Sequence, residues 1–224
     1  MAINTESAIQ FLKEIRHRLL LGESGFPIFF IDFDDTLVLS ETTRSAIPNS
    51  LQTLGGNDPY LELSGHPKIL QNILEKISKS PVWNSYIFKH DSAPRSILTT
   101  GLVETQILKI VPTFTKNKPL PVFITETGNN KIILMIRFLE FAERFIPHFH
   151  FRVGDIVFLD DRADLFLTPE NIQNILRAES QGFRIKVVKI FHSGPIDIPT
   201  VTQLWPVEIF SKPSTTDPSR SSPR

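Results

Sequence analysis

Residues 28–37 of this chain read IFFIDFDDTL. The first four are bulky and apolar in a row, which is typical of a central parallel strand that is buried on both faces. Three carboxylates, Asp32, Asp34 and Asp35, follow within four positions. Such acids repel one another and are costly to bury unpaired, and a divalent cation would resolve this because hard cations favour carboxylate oxygens. The segment therefore indicates a metal-dependent site at the end of a strand, with a solvated acidic turn as the alternative.

On both sides of this segment, short β-rich runs alternate with stretches of helical period. Strands are predicted over 28–31, 96–98, 121–124, 155–159 and 184–191. A first helix is predicted from Asn4 on the apolar positions Ile9, Leu12, Ile15 and Leu19, and further helices over 67–80, 102–111 (ended by Pro112), 131–145 and 169–179. This alternation predicts an α/β fold: a doubly wound, mostly parallel sheet with helices on both faces.

Residues that can carry chemistry stand at the ends of the other predicted strands. Thr99 and Thr100 follow the second strand, Lys131 opens the helix after the third, and Asp160 and Asp161 follow the fourth. In an open α/β sheet the carboxyl ends of the strands meet at one edge, where ligands bind. A carboxylate nucleophile, a hydroxyl, a cation and a second acidic pair suit phosphoryl transfer, in which the protein positions the group and neutralises charge.

Four segments together resemble, in the right order, the motifs of the haloacid dehalogenase (HAD) superfamily of phosphohydrolases. They are Asp32-Phe33-Asp34-Asp35-Thr36 (similar to Asp-x-Asp-x-Thr), Ile97-Leu98-Thr99 (an apolar strand ending in Thr or Ser), Lys131, and Phe158-Leu159-Asp160-Asp161 (an apolar strand ending in two acids). The resemblance covers about residues 27–191. The first and fourth motifs are the more specific, and the other two gain force from their order.

The resemblance implies a magnesium-dependent phosphomonoester hydrolase that works through an aspartyl-phosphate. Asp32 would be the nucleophile, and Asp34 would protonate the leaving oxygen and then activate water. Mg²⁺ would lie between Asp32, the backbone carbonyl of Asp34, Asp160 and Asp161, with Asp161 facing the metal and Asp160 pairing with the lysine. The threonine and Lys131 would hold the phosphoryl oxygens. A second carboxylate at the acid/base position favours phosphatase chemistry over dehalogenation.

Two of these assignments have competitors in the sequence. Thr99 and Thr100 remain alternatives, because the sequence does not fix the register of their strand. Lys131 is preferred to Lys118, which stands between Asn117 and Pro119 in a context typical of a loop.

Other polar residues are weaker candidates for the site. Asp35 is expected to be a turn residue and not a metal ligand. Asp164 is equally well a group that supports the ligands or a solvated loop acid beside Arg162. His148 and His150 are expected to be a partly exposed loop pair, although a metal pair is the alternative.

The segment after the first motif, from about residue 40 to 65, is too short for a large cap domain. A short flap of this kind implies an open site, and therefore a phosphorylated protein as substrate, on phosphotyrosine or on phosphoserine/threonine. A small phosphometabolite and a catalytically silent interaction module are the alternatives. One phosphatase domain is predicted over residues 1–210, and the stretch 211–224, rich in Ser, Thr and Pro, predicts a disordered tail or linker.

Composition narrows the class of protein and its partners. Lys plus Arg and Asp plus Glu both number 24 in 224 residues, and this balance argues against a dedicated nucleic-acid or membrane-surface protein. The absence of cysteine excludes disulfides and thiolate nucleophiles. No apolar run approaches the ~18 residues of a membrane span, and the N-terminus lacks the pattern of a signal peptide. The sequence thus predicts a soluble cytoplasmic enzyme.

Overall fold

The structure is a computed structural model that describes residues 5–39, 66, 68–69, 72, 93–113, 120–128, 130–191 and 200–206. The predicted flap at about 40–65, Lys118 and the predicted tail at 211–224 lie outside these residues. So does most of the helix predicted over 67–80.

Five α-helices and six strands are described. The helices are α1 (Thr5–Leu20), α2 (Val103–Thr113), α3 (Asn130–Phe145), α4 (Phe149–Arg152) and α5 (Pro169–Ser180), with a 3-10 turn at Ala163–Phe166. The strands are β1 (Ile28–Ile31), β2 (Arg95–Thr100), β3 (Val122–Thr125), β4 (Asp155–Asp160), β5 (Arg184–Phe191) and β6 (Thr200–Trp205).

The strands form one mostly parallel sheet in the order β3-β2-β1-β4-β5-β6. β1 pairs in parallel with both β2 and β4, and only β6, at the edge, runs antiparallel to its neighbour β5. The chain first builds outward from β1 to β3 and then returns to place β4 on the other side of β1. The strand order therefore reverses between β1 and β4, and open sheets of this type bind ligands in the crevice at such a point.

Helices cover both faces of the sheet, as the sequence predicts. On one face α1, α3 and α5 form one apolar cluster with the inward residues of β1, β4 and β5. The centre of this layer is a group of phenylalanine rings with centroids 5.0 to 6.2 Å apart: Phe11, Phe30, Phe123 and Phe138. On the other face Ile110 of α2 packs against Ile31 and Ile97. The two apolar layers fix β1 and β4 rigidly, so that the residues after them have defined positions.

Several predicted elements need correction in detail. Pro112 does not end α2, which continues to Thr113, because a proline in the last turn removes few hydrogen bonds. Ile9 is 41% exposed, and the buried face of α1 instead includes Ala8 and Phe11. The strand β6 was not predicted, and its alternation of Thr, Val and Gln carries only a weak apolar signal.

No helix in the described ranges is long and apolar enough to cross a lipid bilayer.

Candidate functional site

The end of β1 delivers Asp32 to the crevice between β1 and β4. Its backbone N–H donates to the carbonyl of Leu159 at 2.9 Å, which continues the pairing of the two strands by one residue. A tight turn follows, in which the N–H groups of Leu37 and Val38 both donate to the carbonyl of Phe33. Asp35 adopts a left-handed conformation with φ of 57°. The prediction that Asp35 is a turn residue is confirmed.

A buried charge cluster of Asp32, Lys131 and Asp160 occupies this crevice. The Lys131 ammonium lies 2.8 Å from Asp32 Oδ1 and donates a hydrogen bond of 2.7 Å to Asp160 Oδ2. The side chains of Lys131 and Asp160 are 1% and 0% exposed, and that of Asp32 is 4% exposed. Residues 32, 131 and 160, which are far apart in sequence, thus meet as the sequence predicts, and Asp160 pairs with the lysine.

Lys131 owes its position to the start of α3. Its backbone N–H donates to the carbonyl of Gly128, which sets the first turn of the helix. The Phe166 ring lies 5.2 Å from the Lys131 ammonium, close enough for a cation–π contact. A Cβ at Gly128 would lie 2.5 Å from this ring, so a glycine is needed there for the ring to approach.

Asp161 extends the cluster towards solvent. It is partly buried, and its backbone N–H donates to the fully buried hydroxyl of Thr36 at 2.9 Å. The backbone N–H of Arg162 donates to Asp160 Oδ1 at 2.7 Å. Carboxylate oxygens of Asp32, Asp160 and Asp161 all lie within 4.8 Å of one another. Thr36 is the last residue of the first motif, and through this contact it joins the turn after β1 to the end of β4.

These three carboxylates fit a divalent cation. Three negative charges and one lysine leave a formal charge of minus two, which one such ion would balance. All donors are oxygens, as hard cations require. Asp32 Oδ1 is ion-paired with Lys131, but it accepts no hydrogen bond of good geometry from any residue that the structure describes. A buried carboxylate oxygen without a hydrogen-bond donor has room for a metal ligand bond.

The titration of the cluster supports the same interpretation. Burial raises the pKa of Asp32 from 3.8 to about 7, against the opposing effect of Lys131. Burial and the charge of Asp160 raise the pKa of Asp161 to about 6. Burial alone would lower the pKa of Lys131, but Asp32 and Asp160 raise it above its usual value. The cluster therefore holds more negative charge than one lysine stabilises, and a bound cation would keep the acids ionised at neutral pH.

The side chain of Asp34 makes a separate contact. Its Oδ2 accepts a short hydrogen bond from the ammonium of Lys109, which is in α2 on the opposite face of the sheet from α3. Lys109 is 7% exposed and Asp34 32%. Lys109 is not among the site residues that the sequence predicts. Its signal is faint: Gln106, Lys109 and Ile110 are spaced at i, i+3 and i+4 and share the buried side of the helix.

The two candidate phosphate-binding threonines are the last residues of β2 and do not follow it. Because side chains alternate along a strand, Thr100 lies on the α3 face with Leu98, and Thr99 lies on the α2 face with Ile97. Thr100 thus shares the face from which Lys131 comes, and Thr99 shares the face of Lys109.

Their hydrogen bonds also differ. Thr125 donates its single hydroxyl proton to the carbonyl of Thr127 at 2.8 Å, so Thr100 is the donor in the 3.2 Å contact between the Thr100 and Thr125 hydroxyls. Thr99 donates to Gln106 Oε1 across 3.4 Å, a longer and weaker bond that a phosphoryl oxygen can replace more easily. The two observations favour different threonines as the phosphate ligand. Thr100 lies on the same face as Lys131, whereas the hydroxyl proton of Thr99 is held by the weaker hydrogen bond.

The remaining candidates lie in other contacts. Asp164 is an exposed acid that accepts a 2.7 Å hydrogen bond from Lys189, and this bond lowers its pKa. His150 lies 3.1 Å from Glu143, and His148 has a left-handed backbone with φ of 56°. Among the described residues, neither histidine belongs to the group that could hold a metal.

The fold and the site together define an open α/β sheet with an acidic, lysine-containing crevice between β1 and β4, where the strand order reverses. Comparison of the chain with protein-family models, with curated proteins and with solved structures gave no match. The function is therefore argued from the geometry of this site.

Proposed function

We propose that this protein is a magnesium-dependent phosphomonoester hydrolase in which Asp32 is the nucleophile. The observation that carries the proposal is the shared lysine: Lys131 bridges Asp32 and Asp160 in a buried crevice, with the Asp161 carboxylate beside them. The combination of a buried carboxylate nucleophile, a fixed cation and an acidic metal site suits phosphoryl transfer, where positioning and charge neutralisation supply most of the catalysis. The likeness of four motifs to those of the HAD superfamily supports the same class.

Asp32, Asp160 and Asp161 would hold the Mg²⁺, together with the backbone carbonyl of Asp34. The bound ion supplies positive charge that screens the nucleophile from the phosphate and stabilises the charge of the transition state.

In the first step Asp32 attacks phosphorus. A bond forms between a carboxylate oxygen of Asp32 and phosphorus, and the ester P–O bond breaks. Asp34, two residues later in the tight turn, gives its proton to the leaving oxygen, so that the product is a neutral alcohol.

In the second step water replaces Asp32. Asp34, now a carboxylate, takes a proton from the water as its oxygen attacks phosphorus, and the bond to Asp32 breaks. The products are inorganic phosphate and a regenerated Asp32 carboxylate.

Lys131 and a threonine would bind the phosphoryl oxygens. A lysine ammonium has three N–H donors, of which Lys131 gives one to Asp160 while it is ion-paired with Asp32, so that a donor remains for a phosphoryl oxygen. Thr99 and Thr100 at the end of β2 are the candidate hydroxyl donors. Valine at each position separates them, because the phosphate-binding threonine is the one whose loss raises KM for every phosphoester.

The substrate class is proposed to be a phosphorylated protein. The segment at about 40–65, which lies outside the described residues, is short for a cap domain on its length alone, and a site with only a short flap would admit a phosphate presented on a protein surface. Phosphopeptides, sugar phosphates and nucleotides assayed side by side test this point. Selective turnover of phosphopeptides supports it, and turnover of sugar phosphates alone contradicts it.

The reaction itself is tested with p-nitrophenyl phosphate. We expect hydrolysis that requires Mg²⁺, stops on addition of EDTA and is restored by excess Mg²⁺. Asp32→Asn should abolish it while the thermal unfolding curve remains cooperative. Hydrolysis that survives both EDTA and Asp32→Asn would contradict the mechanism.

A further inference from the structure

The site contains a second buried lysine to which neither the motif resemblance nor the mechanism above gives a role. Lys109 is a residue of α2, is 7% exposed, and directs its ammonium at Asp34 Oδ2. It reaches the site from the opposite face of the sheet to Lys131. A lysine is rarely buried to this degree without a specific partner, so its contact with Asp34 is a feature that the fold maintains.

α2 is held firmly enough to make Lys109 a fixed point. One turn before it, Gln106 donates from Nε2 to the carbonyl of Thr100 at 2.9 Å and accepts from Thr99 through Oε1. Gly101, where the chain leaves β2 for this helix, has φ of 141°, a backbone conformation that favours glycine. The side chains of Gln106 and Lys109 therefore connect α2 to the end of β2 and to the turn after β1.

Asp34 needs such a fixed point. The backbone of its turn is set by hydrogen bonds from Asp35, Leu37 and Val38, but none of these bonds holds its side chain, which is about one-third exposed. An acid/base group must lie within hydrogen-bond distance of the oxygen that it protonates. A contact that holds one carboxylate oxygen would fix the direction of the other.

We propose that Lys109 is a positioning residue for Asp34, an inference that rests on the proposed phosphatase function. The Lys109 ammonium holds Oδ2, and Oδ1 carries the proton that passes to the leaving oxygen as the ester P–O bond breaks. In the second step Oδ1 takes a proton from the attacking water, while Oδ2 stays on Lys109. Lys109 itself neither gains nor loses a proton.

The test compares Lys109→Met with two aryl phosphates, p-nitrophenyl phosphate and phenyl phosphate. Nitrophenolate is a weak base and leaves with little help, whereas phenolate needs a proton from the acid. We expect Lys109→Met to lower kcat/KM for phenyl phosphate by about 100-fold and for p-nitrophenyl phosphate by about 10-fold or less. Lys186→Met is the matched control. Lys186 pairs with Asp155 at the opposite end of β4 from the site, so its replacement should change neither value.

A double-mutant cycle separates this role from phosphate binding. If Lys109 acts through Asp34, adding Lys109→Met to Asp34→Asn costs no further activity, and Lys109→Arg restores part of the phenyl phosphate rate. Equal losses on both substrates with a raised KM, or additive losses in the cycle, would overturn the inference. If Lys109→Met does not fold, Lys109→Gln, which keeps a donor without the charge, takes its place in the cycle.

A crystal structure of the variant gives a readout that does not depend on activity. We expect the Asp34 carboxylate to have one rotamer in the wild-type protein and several in Lys109→Met. An unchanged rotamer would overturn the positioning role, even for a protein in which neither aryl phosphate is hydrolysed. Absence of hydrolysis in the wild-type protein, by contrast, defeats the proposed function and leaves the crystallographic result to decide the role of Lys109.

Discussion

The strand β4 begins with Asp155 and ends with Asp160, and the two ends carry very different charge clusters. Asp155 is one-third exposed and pairs with Arg184 at 3.3 Å and Lys186 at 2.8 Å, both from the adjacent strand, with side chains that are 66% and 39% exposed. Asp160 is fully buried and shares one buried lysine with a second buried acid, Asp32. At one end cations outnumber the acid, and at the other end acids outnumber the cation.

The difference separates an ion-pair group that water solvates from a buried cluster with an excess of negative charge. Exposed ion pairs contribute little to stability and cost little to assemble, because water solvates each partner. A buried cluster with excess negative charge costs free energy of folding, and a fold retains it when it serves another purpose. Burial and the excess of negative charge, and not the number of charged residues, indicate that the carboxyl end of β4 is the candidate active site.

The largest expected effect is at the carboxyl end of β4, where the buried cluster lies. Asp32→Asn removes the proposed nucleophile with almost no change in shape, and we expect kcat for p-nitrophenyl phosphate to fall by about 10⁴-fold or more. The measurement is a steady-state assay with saturating Mg²⁺ on protein whose unfolding has been checked by circular dichroism. A residual rate within tenfold of wild type would show that another group attacks phosphorus.

Replacement of the lysine at each end should destabilise the protein to very different extents. Lys131→Met leaves two buried carboxylates side by side without their cation, and we expect a loss of about 3–5 kcal/mol in the free energy of unfolding at pH 8 without Mg²⁺. Lys186→Met removes an exposed partner and should cost about 1 kcal/mol or less. Urea titrations of both variants give the two values, and similar losses would mean that burial does not distinguish the two ends.

The dependence of stability on pH should also come from the buried end. The folded-state pKa of Asp32 is raised from 3.8 to about 7, so the folded protein binds its proton more tightly than the unfolded chain does. The stabilisation is full below about pH 4 and is lost as the pH rises to about 7, at up to about 1.4 kcal/mol per pH unit for one proton. Asp161, with its pKa raised to about 6, has the same sign.

In metal-free protein the free energy of unfolding should therefore fall between pH 4 and pH 7, and Asp32→Asn should flatten this fall. Added Mg²⁺ should reverse it, because the ion binds the ionised acids, so that the stabilisation by Mg²⁺ grows from pH 5 to pH 8. Thermal melts with and without Mg²⁺ across this range test the prediction. A stabilisation by Mg²⁺ that does not change with pH would place the ion elsewhere.

The sequence predicts the buried cluster at the carboxyl end of β4 well. Each residue of this cluster directly follows an apolar strand or opens a helix with a clear period. The apolar runs before Asp32 and Asp160 predict parallel strands, and the helical period after Lys131 places that lysine at a helix start. The parallel order of strands then brings all three to one edge. Local pattern and global topology agree here, so the sequence alone predicts that these three distant residues lie close together.

The parts that the sequence does not predict depend on how one helix is rotated against the sheet. Lys109 reaches Asp34 only because α2 turns the side of Gln106 and Lys109 inward, and one lysine among apolar residues does not reveal this rotation. Thr99 and Thr100 presented the same difficulty, since one residue of register decides which face each occupies. The contact of Thr36 with Asp161 joins residues 125 positions apart, and no local pattern encodes it.

The smallest expected effect is at the exposed end of β4. Asp155→Asn is the same chemical change as Asp32→Asn, and it removes the acid that two exposed cations share. Since Arg184 and Lys186 remain solvated, we expect the free energy of unfolding to change by about 1 kcal/mol or less and kcat to stay within twofold of wild type. Urea titration and the p-nitrophenyl phosphate assay measure the two quantities. A large loss of activity from Asp155→Asn would mean that the two ends of β4 are coupled through the strand, and the contrast between the exposed and the buried end would then be wrong.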